Sequence, residues 1–156
     1  MPYADVRDIQ MYYELQGTGP RLLFISGSGG DLRRQPNVFQ TPLANAFTVL
    51  AFDQRGLGRT SIPDEPYTMQ DYAEDANALL DAVGWDTCLV AGTSFGGMVG
   101  QEFAVRFPER IERLVLNCTS SGGAGKPSYP LHTLVDMDPE TKFRTTLAIS
   151  DTRRNA

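Results

Sequence analysis

Short apolar runs alternate along this chain with longer amphipathic stretches, and that alternation predicts most of its elements. Pro2-Tyr3-Ala4-Asp5-Val6 and Gln10-Met11-Tyr12-Tyr13-Glu14 read as two short strands joined by a turn near Arg7-Asp8. Arg21-Leu22-Leu23-Phe24-Ile25 and Thr48-Val49-Leu50-Ala51-Phe52 are nearly continuous apolar runs, as a strand buried on both faces requires. Thr87-Cys88-Leu89-Val90-Ala91 and Arg113-Leu114-Val115-Leu116-Asn117-Cys118 repeat the pattern. Between them the period lengthens. Thr68 and Asp71 have capping-box spacing, and Tyr72, Ala76, Leu79, Leu80 and Val83 then share one helical face until Gly84 closes it. Asp71, Glu74 and Asp75 crowd the N-terminal half of that helix, where its dipole favours them. Residues 95–107 read as a further helix stopped by Pro108, and residues 31–47 as helical pieces broken by Pro36 and Pro42. Strand, loop and helix in repeated order predict right-handed crossovers. The expected fold is α/β, a mostly parallel sheet with helices on both faces.

The pattern changes after Thr119. Ser120-Ser121-Gly122-Gly123-Ala124-Gly125-Lys126-Pro127-Ser128 reads as a flexible connector. Leu131 to Val135 suffices for one helical turn. Asp138 is placed to cap a helix whose first residue is Pro139, with Phe143 and Leu147 on one face.

Composition narrows the class without naming it. The chain has 156 residues, 41% hydrophobic and 21% charged, which suits one domain with a real core. A net charge of -5 argues against a nucleic-acid surface. No apolar run reaches the length of a membrane span, and no leader pattern opens the chain, so a cytoplasmic location is expected. Cys88 and Cys118 fall at opposite ends of neighbouring predicted strands, roughly 15 Å apart at about 3.3 Å per residue. Two buried free thiols are expected rather than a disulfide.

The candidate chemistry lies where strands run into loops. Gly92-Thr93-Ser94-Phe95-Gly96 has the form G-x-S-x-G, with a strand before it and a helix after it. A strand that turns directly into a helix forces its serine into a strained conformation and leaves no room for side chains two positions away on either side. The hydroxyl is then exposed beside the free N–H groups of a helix start. Ser26-Gly27-Ser28-Gly29-Gly30 follows another strand. A dinucleotide cradle fails there on spacing, because Leu32 stands where the third glycine belongs and no P-loop lysine follows. A loop offering backbone N–H groups to an oxyanion and a plain tight turn both remain open. Asp53 and Arg55 read as charges that hold a loop's shape.

Taken together, Ser26-Gly27-Ser28-Gly29-Gly30, Asp53-Gln54-Arg55-Gly56-Leu57-Gly58 and Gly92-Thr93-Ser94-Phe95-Gly96-Gly97 resemble the N-terminal half of an α/β-hydrolase over roughly residues 3–125. Pro66-Tyr67-Thr68, Leu79-Leu80-Asp81-Ala82-Val83-Gly84 and Pro108-Glu109-Arg110-Ile111-Glu112-Arg113-Leu114-Val115-Leu116 give a softer likeness to the 3-oxoadipate enol-lactonase and esterase subgroup. The resemblance implies Ser94 as nucleophile, the backbone N–H groups of Ser28 and Phe95 as oxyanion donors, and Gly92 and Gly96 as the elbow glycines. It implies a small-molecule ester or lactone substrate, no metal and no organic cofactor, and neither a nucleic acid nor a membrane as partner. Ser26 stands where the common form has histidine. Residues 1–122 are then expected to form the N-terminal part of the core, and residues 123–156 a connector and the start of a cap. The family's catalytic Asp and His would follow later, so the chain is expected to stop after about the sixth strand and to be inactive alone. His132, the one histidine, is expected to be a surface or cap residue rather than the base. The strand at 114–117 would present an edge for a second copy or a complementing chain. Two other functions fit the same residues: a non-catalytic remnant that binds a small molecule or partner, and a cofactor-free haloperoxidase or perhydrolase using the same serine.

Overall fold

The structure is a computed structural model that describes residues 2–121 and 131–150, apart from the side chains of residues 131, 132, 149 and 150. Its strands are β1 (Tyr3–Val6), β2 (Ile9–Gln16), β3 (Arg21–Ile25), β4 (Thr48–Phe52), β5 (Cys88–Thr93) and β6 (Ile111–Asn117). Its helices are α1 (Leu43–Ala46), α2 (Met69–Ala82), α3 (Phe95–Arg106) and α4 (Pro139–Ser150). The sheet order is β1-β2-β4-β3-β5-β6. β1 and β2, and β2 and β4, pair antiparallel; β4, β3, β5 and β6 run parallel. The expected mostly parallel α/β sheet is therefore present.

Strand alternation divides the core between the two faces. Leu23 is level with Leu50 and Val90 on neighbouring strands. With Ile25 and Phe52 these residues pack against Leu79 and Leu80 of α2 and Val99 and Phe103 of α3. Each such side chain taken from water contributes about 1.5–3 kcal/mol before the entropy of ordering is counted. The odd-numbered partners Val49 and Ala51, together with Leu22, point the other way and meet Leu32, Val38 and Phe39, with Leu43 and Phe47 of the α1 region alongside. Within Met1–Ser120 the described elements on that face are short, a 3-10 turn at Val38–Gln40 and α1, because Pro36 and Pro42 interrupt residues 31–47. Beyond them Leu22, Phe24, Leu89, Ala91 and Val115 line an open apolar groove of about 670 Å³.

The capping box of α2 forms as its spacing predicts: Asp71 N–H donates to the Thr68 hydroxyl, and Thr68 N–H donates to the Asp71 carboxylate at 2.8 Å. Gly84, at φ 71°, takes the left-handed turn that ends this helix. Asp75 lies in the N-terminal half of α2 as expected, and it has a further partner: it is 1% exposed and accepts two bonds from the Arg55 guanidinium, at 2.7 and 2.8 Å.

The thiols differ from each other. Cys88 is buried and free, as expected, and burial pushes its thiol up to about 11. Cys118 is free but exposed, because it follows β6 where the sheet ends.

The chain forms two compact units, Met1–Ser120 and Ser121–Ala156. In the second, a 3-10 turn spans Leu131–Leu134 and α4 begins at Pro139. Asp138 caps α4, accepting from Glu140 N–H at 3.1 Å and Thr141 N–H at 3.0 Å. Among the described residues, no helix is long and apolar enough to cross a membrane.

Candidate active site

Ser94 stands alone between β5 and α3, with φ 55° and ψ -119°. No ordinary L-residue adopts that conformation without strain, so the surroundings must hold it. Ser94 N–H donates to Asn117 O on β6 at 2.9 Å. Its carbonyl oxygen accepts from Gly97 N–H at 2.9 Å and from the Thr119 hydroxyl at 2.7 Å. The residue itself is exposed, and no described residue hydrogen-bonds its hydroxyl.

The two glycines of the motif are required by close backbone approach. A Cβ on Gly92 would strike the carbonyl of Gly96, and a Cβ on Gly96 would strike the carbonyl oxygens of Ile25 and Ser26. α3 therefore starts against the end of β3. Phe95, the first residue of α3, packs its ring edge-to-face on Tyr72 of α2, with centroids 5.0 Å apart. Its N–H belongs to the first helical turn, which has no intrahelical acceptors.

The loop after β3 reaches the same place. A Cβ built on Gly27 would lie 3.3 Å from Ser94 Cβ and 3.9 Å from Ser94 Oγ. Gly30 N–H donates to Gly27 O at 3.0 Å and closes a tight turn. Ser28 sits exposed at that turn, and no described residue accepts from its N–H. A recess of about 310 Å³ opens beside the turn, walled by Phe24, Leu32 and Val38 and bordered by Gly27, Ser28 and Arg34. Ser28 and Phe95 thus each carry a backbone N–H with no acceptor among the described residues, and Ser94 carries an exposed hydroxyl; donors of this kind can stabilise a developing negative charge when they converge on it.

Asp53 and Arg55 hold loops, but not by pairing with each other. Asp53, fully buried, accepts from Leu32 N–H at 2.7 Å and Arg59 N–H at 3.0 Å, tying the loop after β3 to the loop after β4. Burial raises its carboxyl above the usual range against the pull of those two bonds. Arg55 turns instead to Asp75 and to Asp8, at 2.9 Å, and lies over the Tyr67 ring. Its charge is held more firmly than usual, first by the bond to Asp75.

His132 lies in the short turn of the second unit, with its side chain outside the described residues. Among the described residues, no group of three or more His, Cys, Asp or Glu is placed to hold a metal. Two supporting residues escaped the sequence reading, Thr119 and Gln54. Both act through side chains that reach a backbone carbonyl distant in sequence, which no local spacing announces.

Known proteins place the chain in a family. Residues 20–147 match the family model described as alpha/beta hydrolase fold. Over 117 residues the chain is 35% identical to the protein named "Putative carbamate hydrolase RutD" of Azorhizobium caulinodans, covering 74% of this chain and 43% of that one. It is 35% identical over 109 residues to a poly(3-hydroxyalkanoate) depolymerase of Ectopseudomonas oleovorans, covering 70% and 38%. The solved enol-lactonase of Burkholderia xenovorans LB400 superposes with a TM-score of 0.71 at 26% identity, over 96% of this chain and 65% of that one. The chain thus spans about two fifths of the length of these curated relatives.

Proposed function

The chain belongs to the α/β-hydrolase fold family, and on that premise we propose that it carries the nucleophilic half of a serine hydrolase acting on ester or lactone bonds of small molecules. In this reading Ser94 Oγ attacks the acyl carbon and expels the alcohol or enol oxygen, forming an acyl-enzyme that water then cleaves. The N–H groups of Phe95 and Ser28 hold the negative oxygen of the tetrahedral intermediate. What carries the reading is the backbone of Ser94 at φ 55°, exposed and fastened on both sides, with the Gly27 turn against it. Strain of this kind persists where surroundings over-determine it, and it clusters at functional sites.

We further propose that the described residues leave proton transfer unserved. A serine hydroxyl is a weak nucleophile without a base, and none of the described residues bonds to it. On this proposal turnover by this chain is low, and His132, read from its place in the sequence as a surface or cap residue, is not its base. A second proposal concerns β6, which among the described residues pairs only with β5 and exposes Val115 and Leu116; that edge takes up another strand, from a second copy or a complementing chain.

Labelling with a fluorophosphonate tests the first reading. Slow phosphonylation at Ser94, abolished in S94A and unchanged within about twofold in H132A, is expected. Absence of labelling on a folded chain, or labelling elsewhere, overturns the role of Ser94. Loss of labelling in H132A overturns the exclusion of His132.

A further inference from the structure

Gln54 follows β4 and is 1% exposed, although its amide carries donors and an acceptor that burial strips of water. Its Nε2 donates to the carbonyl oxygen of Ser26 at 2.9 Å. Ser26 is the residue between β3 and Gly27, so this bond ties down the root of the turn that carries Ser28. The same carbonyl oxygen is one of the two that a Cβ on Gly96 would strike. The oxygen is thus wedged between the first turn of α3 and the Gln54 amide.

Two more observations mark this junction. The Oε1 of Gln54 and the Oγ of Ser26 are both buried without a partner among the described residues, and they belong to the very residues the bond joins. An unpaired buried oxygen is costly, and an apolar side chain of the same size would avoid the cost. The amide cannot be reversed to relieve it, because Oε1 would then face the Ser26 carbonyl, acceptor against acceptor. Asp53, next in the chain, holds Leu32 on the far side of the same loop at 2.7 Å. One residue therefore anchors where the loop begins and its neighbour anchors where it ends.

We infer that Gln54 is a positioning residue: it pins the Ser26 carbonyl and so sets where the Ser28 N–H stands relative to Ser94. The inference rests on the reading of Ser94 as nucleophile and Ser28 as donor. The pin acts on geometry at the oxyanion and makes no contact with the bound substrate. Its removal therefore lowers the rate of the bond-forming step and leaves substrate affinity alone.

The test compares the full chain with Q54M, which keeps side-chain volume and loses the donor, and with Q54N, whose amide is too short to reach. Two quantities are read: the saturation curve for fluorophosphonate labelling of Ser94, and amide hydrogen exchange by mass spectrometry over residues 26–31. Removing an oxyanion donor outright costs about 10²–10³ in rate, so loosening one is expected to cost about tenfold in the maximal labelling rate, with the half-saturating concentration unchanged. Exchange over 26–31 is expected to quicken by about fivefold while exchange in α2 stays as in the parent. If both variants match the parent in labelling and exchange, or if Q54M changes only the half-saturating concentration, the inference is overturned. If the parent is never labelled, the nucleophile reading fails, and exchange still decides whether Gln54 pins the loop.

Discussion

Gly27 stands so close to Ser94 that a Cβ on the glycine would touch the serine's own Cβ at 3.3 Å. Two loops from different strands thus meet within one methyl group's width, and any added atom must displace one of them.

G27A measures that clearance. The residue has no left-handed φ to strain, and the contacts demand shifts of only a few tenths of an ångström. The variant should keep its urea midpoint to within about 1 kcal/mol of stability, while Ser94 labelling falls by about tenfold, since small misplacements at a reacting centre are expensive. Labelling at the parent rate would show that the two loops yield freely.

Breaking the Arg55–Asp75 pair should cost far more than its size suggests. The two side chains are 4% and 1% exposed, so D75N leaves a buried guanidinium with Asp8 as its remaining carboxylate. A loss of about 3–5 kcal/mol is expected in urea unfolding, and the double variant R55M/D75L should lose less than D75N alone. A D75N loss under about 1 kcal/mol would mean that Asp8 suffices.

Acid stability should depend on Asp71. Its carboxylate is held down to about 2 from 3.8, chiefly by the Thr68 backbone N–H and then by the Thr68 hydroxyl. The folded value lies below the unfolded one, so this contribution is complete above about pH 4 and lost as pH falls through about 2. Asp53 works in the opposite sense. Burial raises its folded value, so its ionisation costs stability as pH climbs above the unfolded value near 3.8. D71N should flatten the loss of stability between about pH 4 and 2 and lower stability at neutral pH by about 1 kcal/mol through the weakened cap. An unchanged acid limb would count against the assignment.

The β6 edge predicts association. Val115 is 61% exposed and Leu116 41%. Light scattering on the purified chain should report species larger than a monomer at high micromolar concentration, and V115K should restore the monomer. A stable, monodisperse parent monomer would exclude pairing with a second copy, leaving a complementing chain as the occupant.

Periodicity made the scaffold legible. The apolar runs at β3, β4 and β5 are buried strands, and the helix begun by Thr68 carries the expected box. Local rules suffice there because each element's pattern and its cap lie within a few residues of one another. The site was legible only where it is local. Gly92, Ser94 and Gly96 announce a strained turn by spacing alone. The partner of Asp75 was not legible, because helix position says nothing of the Arg55 guanidinium that reaches it from another loop. Cys118 was expected buried and is exposed, because an edge strand covers less than a central one.

The sequence by itself determined where the main strands and helices fall, that the sheet is mostly parallel, and the serine between two glycines, because backbone preference and hydrophobic period are properties of neighbours. Only the tertiary structure decided that the loop after β3 lies against Ser94, that Thr119 fastens the Ser94 carbonyl, and that Gln54 reaches Ser26 across 28 residues. Those contacts arise when parallel strands are laid side by side. Register then brings together loop ends that the chain itself keeps far apart.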